Sequence, residues 1–164
     1  SVADSLLFVT CSGGIWYNSF TGALDTIPGQ VQLWNTNTMS LLDTVQFSGG
    51  SSPWHIINSP IKDEVYVALS GDILYPGSSG VACITYDINE PEDKLAIKWQ
   101  TYSNDFQKMH GIDVSADGQR LFVSGRENGN LHIFDTIYGD KKQSIPLGDN
   151  LNDIEPAGLS VVYK

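Results

Sequence analysis

Basic side chains are scarce in this chain. Nine Lys and Arg face nineteen Asp and Glu, a net charge of −10 over 164 residues. Polyanion binding needs clustered cations against phosphates, and no basic run occurs, so the charge argues against a nucleic-acid partner and none is expected. No apolar stretch approaches the roughly 20 residues that a membrane-spanning helix needs, so membrane insertion is not expected. The opening Ser1-Val2-Ala3-Asp4 has neither the basic nor the apolar region of a signal peptide. Either a leader has been removed or the chain begins inside a larger protein. Catalytic signatures are missing as well. There is no Gly-x-Ser-x-Gly, no zinc-ligand pair on a helix, no phosphate loop and no Cys-x-x-Cys-His. Ser, His and Asp are present, but nothing in the sequence places them together.

What the chain does have is an internal repeat. Leu7-Phe8-Val9-Thr10-Cys11-Ser12, Val65-Tyr66-Val67-Ala68-Leu69-Ser70 and Leu121-Phe122-Val123-Ser124-Gly125-Arg126 are three copies of one run. Each is followed by a Gly-containing loop and a second run that ends in an aromatic and Asn or Asp. These are Val31-Gln32-Leu33-Trp34-Asn35, Cys83-Ile84-Thr85-Tyr86-Asp87 and Leu131-His132-Ile133-Phe134-Asp135. The β-branched and aromatic content favours strands. Strand repeats with periods near 40–50 residues point to propeller blades, four-stranded antiparallel meanders lettered a to d from the centre outwards.

Read this way, the chain is all-β, with about three blades. The first spans 1–50 and lacks strand a; the second spans 51–106 and the third 107–153. A surplus strand a follows in 154–164, over Pro156 to Val162. Asn58-Ser59-Pro60 and Ser115-Ala116-Asp117-Gly118 supply turn chemistry between a and b. Three blades are too few to close a ring, since propellers have about four to eight. The expectation is therefore a piece of a larger ring, with pairing to other copies or chains as the alternative. An unpaired blade edge in water would be adhesive.

The run from His110 to Ser124, with Ser115-Ala116-Asp117-Gly118 between its two strands, resembles the bacterial YVTN-type propeller repeat. Pro53 to Pro60 and Glu155 to Val161 are similar to it more loosely. The resemblance extends over nearly the whole chain. It implies a seven-bladed ring and a periplasmic or extracellular location. The related propeller of nitrous oxide reductase carries histidines at the inner ends of such strands for a copper cluster, and this chain has part of that pattern.

His55 and His110 are placed at the start of strand a in successive repeats, with Ala157 in the third. Two imidazoles on adjacent blades could share copper or another transition metal. The plainer alternative is that each bonds a neighbouring loop, and no cofactor is expected. His132 reads as an ordinary strand side chain. The b–c connections carry Trp16, Tyr17 and Phe20 between Gly13 and Gln30, and Tyr75 between Gly71 and Gly80. With Trp54 and Lys108 on the same rim, these define a ligand-binding face, or else aromatics that cover the blade edges. Asp87, Glu90, Glu92 and Asp93 crowd one loop; Asp149, Asn152, Asp153 and Glu155 crowd another. Neither run has a calcium-loop spacing, so both read as solvated charge. Cys11 and Cys83 stand at apolar repeat positions and read as small core residues. The expected function is a non-catalytic scaffold that binds a protein or other ligand through its loop face. The alternatives are a metal-dependent redox enzyme and a subunit of a surface assembly.

Overall fold

The computed structural model describes residues 5–148 and 155–162. The described residues are all β-strand and connections, with no helix. The strands are β1(Leu6–Cys11), β2(Gly14–Asn18), β3(Ala23–Ile27), β4(Gln30–Asn35), β5(Ser40–Gln46), β6(Pro53–Asn58), β7(Glu64–Leu69), β8(Gly80–Tyr86), β9(Leu95–Tyr102), β10(Met109–Val114), β11(Arg120–Gly125), β12(Asn130–Asp135) and β13(Lys141–Pro146).

Two complete antiparallel meanders form, β6-β7-β8-β9 and β10-β11-β12-β13. They lie inside the expected second and third blades. Among the described residues the first blade is three-stranded, β1-β4-β5, in the positions of strands b, c and d. The b–c connection expected to be a loop contains a separate hairpin, β2-β3. Its reversal is local: Asn18 Oδ1 accepts from the amides of Phe20 and Thr21, and Gly22 takes φ +69°. An Asn that bonds backbone two and three residues on, followed by Gly, is a turn by itself, so the inserted residues pair with each other.

The repeat extends to backbone detail. Ser70 and Gly71 amides donate to the carbonyls of Ser52 and Ser51. Fifty-six residues on, Arg126 and Glu127 donate to Lys108 and Gln107 in the same way. Ser52 and Lys108 both carry positive φ, 45° and 51°. The Asn or Asp that ends each c strand caps the c–d turn. Asn35 Oδ1 accepts from Asn37 and Thr38, Asp87 from Asn89, and Asp135 from Ile137 and Tyr138. That is the physical reason for the aromatic–Asn/Asp signature.

The core lies between blades. In β7 all six residues are buried. Val65, Val67 and Leu69 point to the first blade, against Val31, Leu33 and Phe47. Tyr66 and Ala68 point to the third, with Phe106, Met109, Leu121 and Phe134. Side chains alternate along a strand, so a strand buried on both faces reads as one continuous apolar run. Each fully buried Val, Leu, Ile or Phe contributes about 1.5–3 kcal/mol, and the second blade supplies one face to each of the two cores.

Residues 155–162, where a further strand a is expected, enter no ladder with the other described residues. They run extended beside β10, and their exposure largely alternates, with Leu159 and Val161 half-covered and Ser160 and Val162 open. The Val161 amide donates to Asp113 Oδ2.

Candidate functional site

In a four-stranded meander the b–c and d–a connections emerge at one end, because successive strands alternate direction. The structure assembles them there. A cleft of about 460 Å³ is bounded by Asp72, Tyr75 and Gly77 of the second b–c connection. Asn104, Phe106 and Lys108 of the following d–a connection, with Glu127 of the third b–c connection, close it. Lys108 and Glu127 form an ion pair across it. The second connection is tied internally: Asp72 Oδ1 accepts from the Leu74 amide, and Ser78 Oγ accepts from the Asp72 amide. A Cβ placed on Gly50 would lie 2.8 Å from the Tyr75 ring, and one on Gly49 would lie 3.6 Å from Thr26 of β3. The hairpin, the first d–a connection and Tyr75 therefore share this end.

The expected contact residues separate by exposure. Phe20 is fully exposed, Tyr17 is 64% exposed and Ile73, beside Tyr75, is 85% exposed. Tyr75 is partly covered by its contact with Gly50. Trp16 lies on β2. The aromatic pattern of the sequence does not point to Ile73 and Leu74; two consecutive aliphatic residues inside a Gly-rich, polar connection are the signal that does.

Trp54, His55 and His110 gather at the inner strands rather than at the cleft. The His55 and His110 ring centroids are 5.3 Å apart, and Trp54 lies 4.8 Å from His110. The ladder register corrects their assumed equivalence. Pro53 pairs with Leu69 and Met109 with Gly125, while Ile56 pairs with Val67 and Ile112 with Val123. The offset is 56 residues throughout, so His110 corresponds to Trp54, and His55 to Gly111. The imidazoles meet because they come from staggered positions on neighbouring strands.

Each ring is oriented by a carbonyl. His55 Nδ1 lies 2.8 Å from the His110 oxygen, and His110 Nδ1 lies 3.0 Å from the Ala157 oxygen. A carbonyl only accepts, so Nδ1 carries a proton in both rings, which in the neutral imidazole leaves Nε2 with a lone pair. Backbone-anchored imidazoles of this tautomer are suited to metal ligation. Yet among the described residues no group of three or more His, Cys, Asp or Glu could hold an ion. These two side chains alone fall short of a transition-metal donor set.

The remaining candidates have structural partners. His132 is buried, with Nδ1 2.8 Å from Ser144 Oγ. Burial, and then the Lys141 charge, push its pKa down to about 4. Glu64, at the head of the most apolar strand, went unnoticed in the sequence. It is buried, 2.6 Å from Lys98 Nζ and 3.0 Å from the Tyr66 hydroxyl. Burial alone would raise its pKa, but the bonds from Lys98 and Tyr66 hold it below the ordinary carboxylate value. Cys11 and Cys83 are free thiols. Asp87 caps a turn, Glu90, Glu92 and Asp93 are exposed, and Glu155 pairs with Arg126 at 3.0 Å. Asp149, Asn152 and Asp153 lie outside the described residues.

No family model and no curated protein matches the sequence. Solved structures do. The β-propeller domain of Cps50 (Swd1) from Myceliophthora thermophila superposes with a TM-score of 0.60 at 12% identity, over 88% of this chain and 42% of that one. A Bacteroides fragilis protein named provisionally as a 6-phosphogluconolactonase gives 0.61 at 19% identity, over 92% and 41%. At such identities the likeness establishes the fold, and the fold is a β-propeller. The chain spans about two fifths of the length of each neighbour.

Proposed function

We propose that this chain is a non-catalytic propeller scaffold that binds a protein partner through the end where its b–c and d–a connections gather. The observation that carries the reading is the exposure of Tyr17 and Phe20 on the inserted hairpin and of Ile73 and Leu74 on the second b–c connection, with Ile73 lining the 460 Å³ cleft. Large apolar side chains grouped on one surface mark contact sites more often than single exposed ones do. The acidic chain favours a partner whose facing surface is neutral or basic. The periplasmic or extracellular location is proposed on the repeat resemblance alone.

A photo-crosslinking residue at Phe20 or Ile73 should trap a partner in the cells that make the protein. The same residue at Tyr138, in a c–d turn at the opposite end, should not. Equal trapping at both ends, or substrate turnover by the purified protein, would overturn the reading.

A second reading, a metal site at the inner strands, is favoured by one observation: both imidazoles present Nε2 with Nδ1 fixed to a carbonyl. Further ligands would have to come from the rest of the ring. Copper or zinc binding abolished by His55→Ala with His110→Ala would support it, and binding unaffected by that pair of changes would exclude it.

A further inference from the structure

We propose that the cleft between the second and third blades takes an arginine side chain, presented by an exposed segment of a partner protein. This names the partner chemistry of the loop face and rests on the scaffold reading above. The walls of the cleft come from the second and third blades and the connection between them, and both blades are complete four-stranded meanders. The cleft exists because neighbouring connections differ in length. The second b–c connection runs over 70–79 and the third over 126–129, so a long loop stands beside a short one and leaves space between them.

The long connection is built to hold its shape. The Tyr75 amide donates to the Asp72 carbonyl at 2.9 Å, and the Ser78 amide to the Tyr75 carbonyl at 3.1 Å. Gly77, at φ +81°, lies so close to the next connection that a Cβ there would be 2.8 Å from Asn104 Oδ1. The loop is thus closed on itself and seated on the d–a connection. A ligand has little ordering left to impose, which lowers the cost of binding.

Charge selects the occupant. The charged side chains lining the cleft are Asp72, Lys108 and Glu127. Lys108 and Glu127 pair with each other, which leaves Asp72 uncompensated. Its Oδ1 is held by the Leu74 amide at 2.8 Å, and Oδ2 receives no hydrogen bond or ion pair from the described residues. Tyr75, bridged to Asp72 through the backbone, lines the same cleft. Its ring lies against Gly50, and the side chain remains 38% exposed. A carboxylate with a free oxygen and an aromatic ring nearby fit a guanidinium. Its planar fork bonds carboxylate oxygens, and its face stacks on aromatic rings. An ammonium has no such plane, and an anion would be repelled by Asp72. Ile73 and Pro76 supply apolar surface for the aliphatic stem of the arginine. The net charge of −10 draws a cationic segment towards this protein.

The test uses the full-length protein and two blocked pentapeptides, acetyl-Gly-Gly-Arg-Gly-Gly-amide and its citrulline counterpart, which keeps the shape and loses the charge. Backbone amide shifts on adding the arginine peptide should centre on 72–78 and 104–108, the loops that line the cleft. The citrulline peptide should bind about tenfold more weakly. Asp72→Asn should weaken arginine binding by a similar factor. An amide oxygen at this position still accepts from the Leu74 amide, so the loop keeps its shape. Lys108→Gln should act in the opposite direction and tighten binding, because it removes the cation that offsets Glu127. A purely structural role for these side chains would not give opposite signs. Equal affinity for the two peptides, wild-type binding by Asp72→Asn, weaker binding by Lys108→Gln, shifts centred elsewhere, or no shifts at millimolar arginine peptide would each overturn the proposal. The measurement needs no partner and no crosslink, so it can fail while trapping at Phe20 succeeds, and succeed while trapping fails.

Discussion

The imidazole of His55 donates from Nδ1 to the backbone carbonyl of His110 at 2.8 Å, and so ties the inner strand of one blade to that of the next. His110 makes the next link, to Ala157 at 3.0 Å. The two histidines are not the same position of the repeat. They are successive steps of a hydrogen-bonded stair along the inner strands. This gives both rings a structural role that does not depend on any ligand.

Breaking the second step should therefore act locally. In His110→Ala the Ala157 carbonyl loses its donor, at a cost of about 1 kcal/mol. Hydrogen exchange should quicken for amides in 155–162 while those of β7 and β8 stay protected, since local opening and global unfolding are separable. Unchanged exchange in 155–162 would mean the segment is held by other contacts.

The Glu64–Lys98–Tyr66 group predicts an acid-sensitive core. Glu64→Gln keeps the shape but loses the charge-assisted bond from Lys98, and should destabilise by about 1–3 kcal/mol at neutral pH. The folded-state pKa of Glu64 lies below its ordinary value. Its contribution is thus present above the unfolded pKa and lost as pH falls through the folded one. Urea unfolding below pH 5 should show wild type and Glu64→Gln converging. A constant gap down to pH 3 would rule out the charged network.

The fold was legible because two signals agreed. A strand repeat located β1, β7 and β11, and the aromatic–Asn/Asp ending located β4, β8 and β12. The β2–β3 hairpin was hidden because it has no counterpart in the other two units and its turn is made by Asn18, a residue as common in loops. The stagger of His55 against His110 was also hidden: a one-residue offset in a strand changes which side chain faces which neighbour, and only the ladder reveals it. Glu64 was illegible for another reason, since a carboxylate at a strand end normally looks like solvated charge, and its partner Lys98 is two strands away.

Cysteine reactivity separates the two thiols. Cys83 is fully buried, and burial, with the nearby Glu64 charge, pushes its pKa to about 12. Cys11 is only half-buried. The thiolate is the reacting form. A disulfide-exchange reagent added to native protein should therefore titrate Cys11 alone, with Cys83 appearing after denaturation. Native-state reaction of both would contradict the packing between the second and third blades.

His132 predicts a second pH dependence, with a different window. The ring is 1% exposed and lies 5.1 Å from the Phe106 ring. Asn128 Nδ2 approaches Nε2 at 3.4 Å, while Nδ1 meets Ser144 Oγ at 2.8 Å. The neutral form fits this setting, and its pKa is pushed down to about 4. Between there and the unfolded value near 6.5 the unfolded chain binds the extra proton, so stability rises with pH across that window. On acidification the loss begins near pH 6.5 and reaches roughly 2 kcal/mol by pH 5. His132→Gln cannot take up that proton in either state. Its unfolding free energy should fall less than that of the wild type between pH 7 and pH 5, by about that amount. Equal losses in the two proteins would show that His132 is protonated at no cost in the folded state, and that its surroundings are wetter than this packing allows.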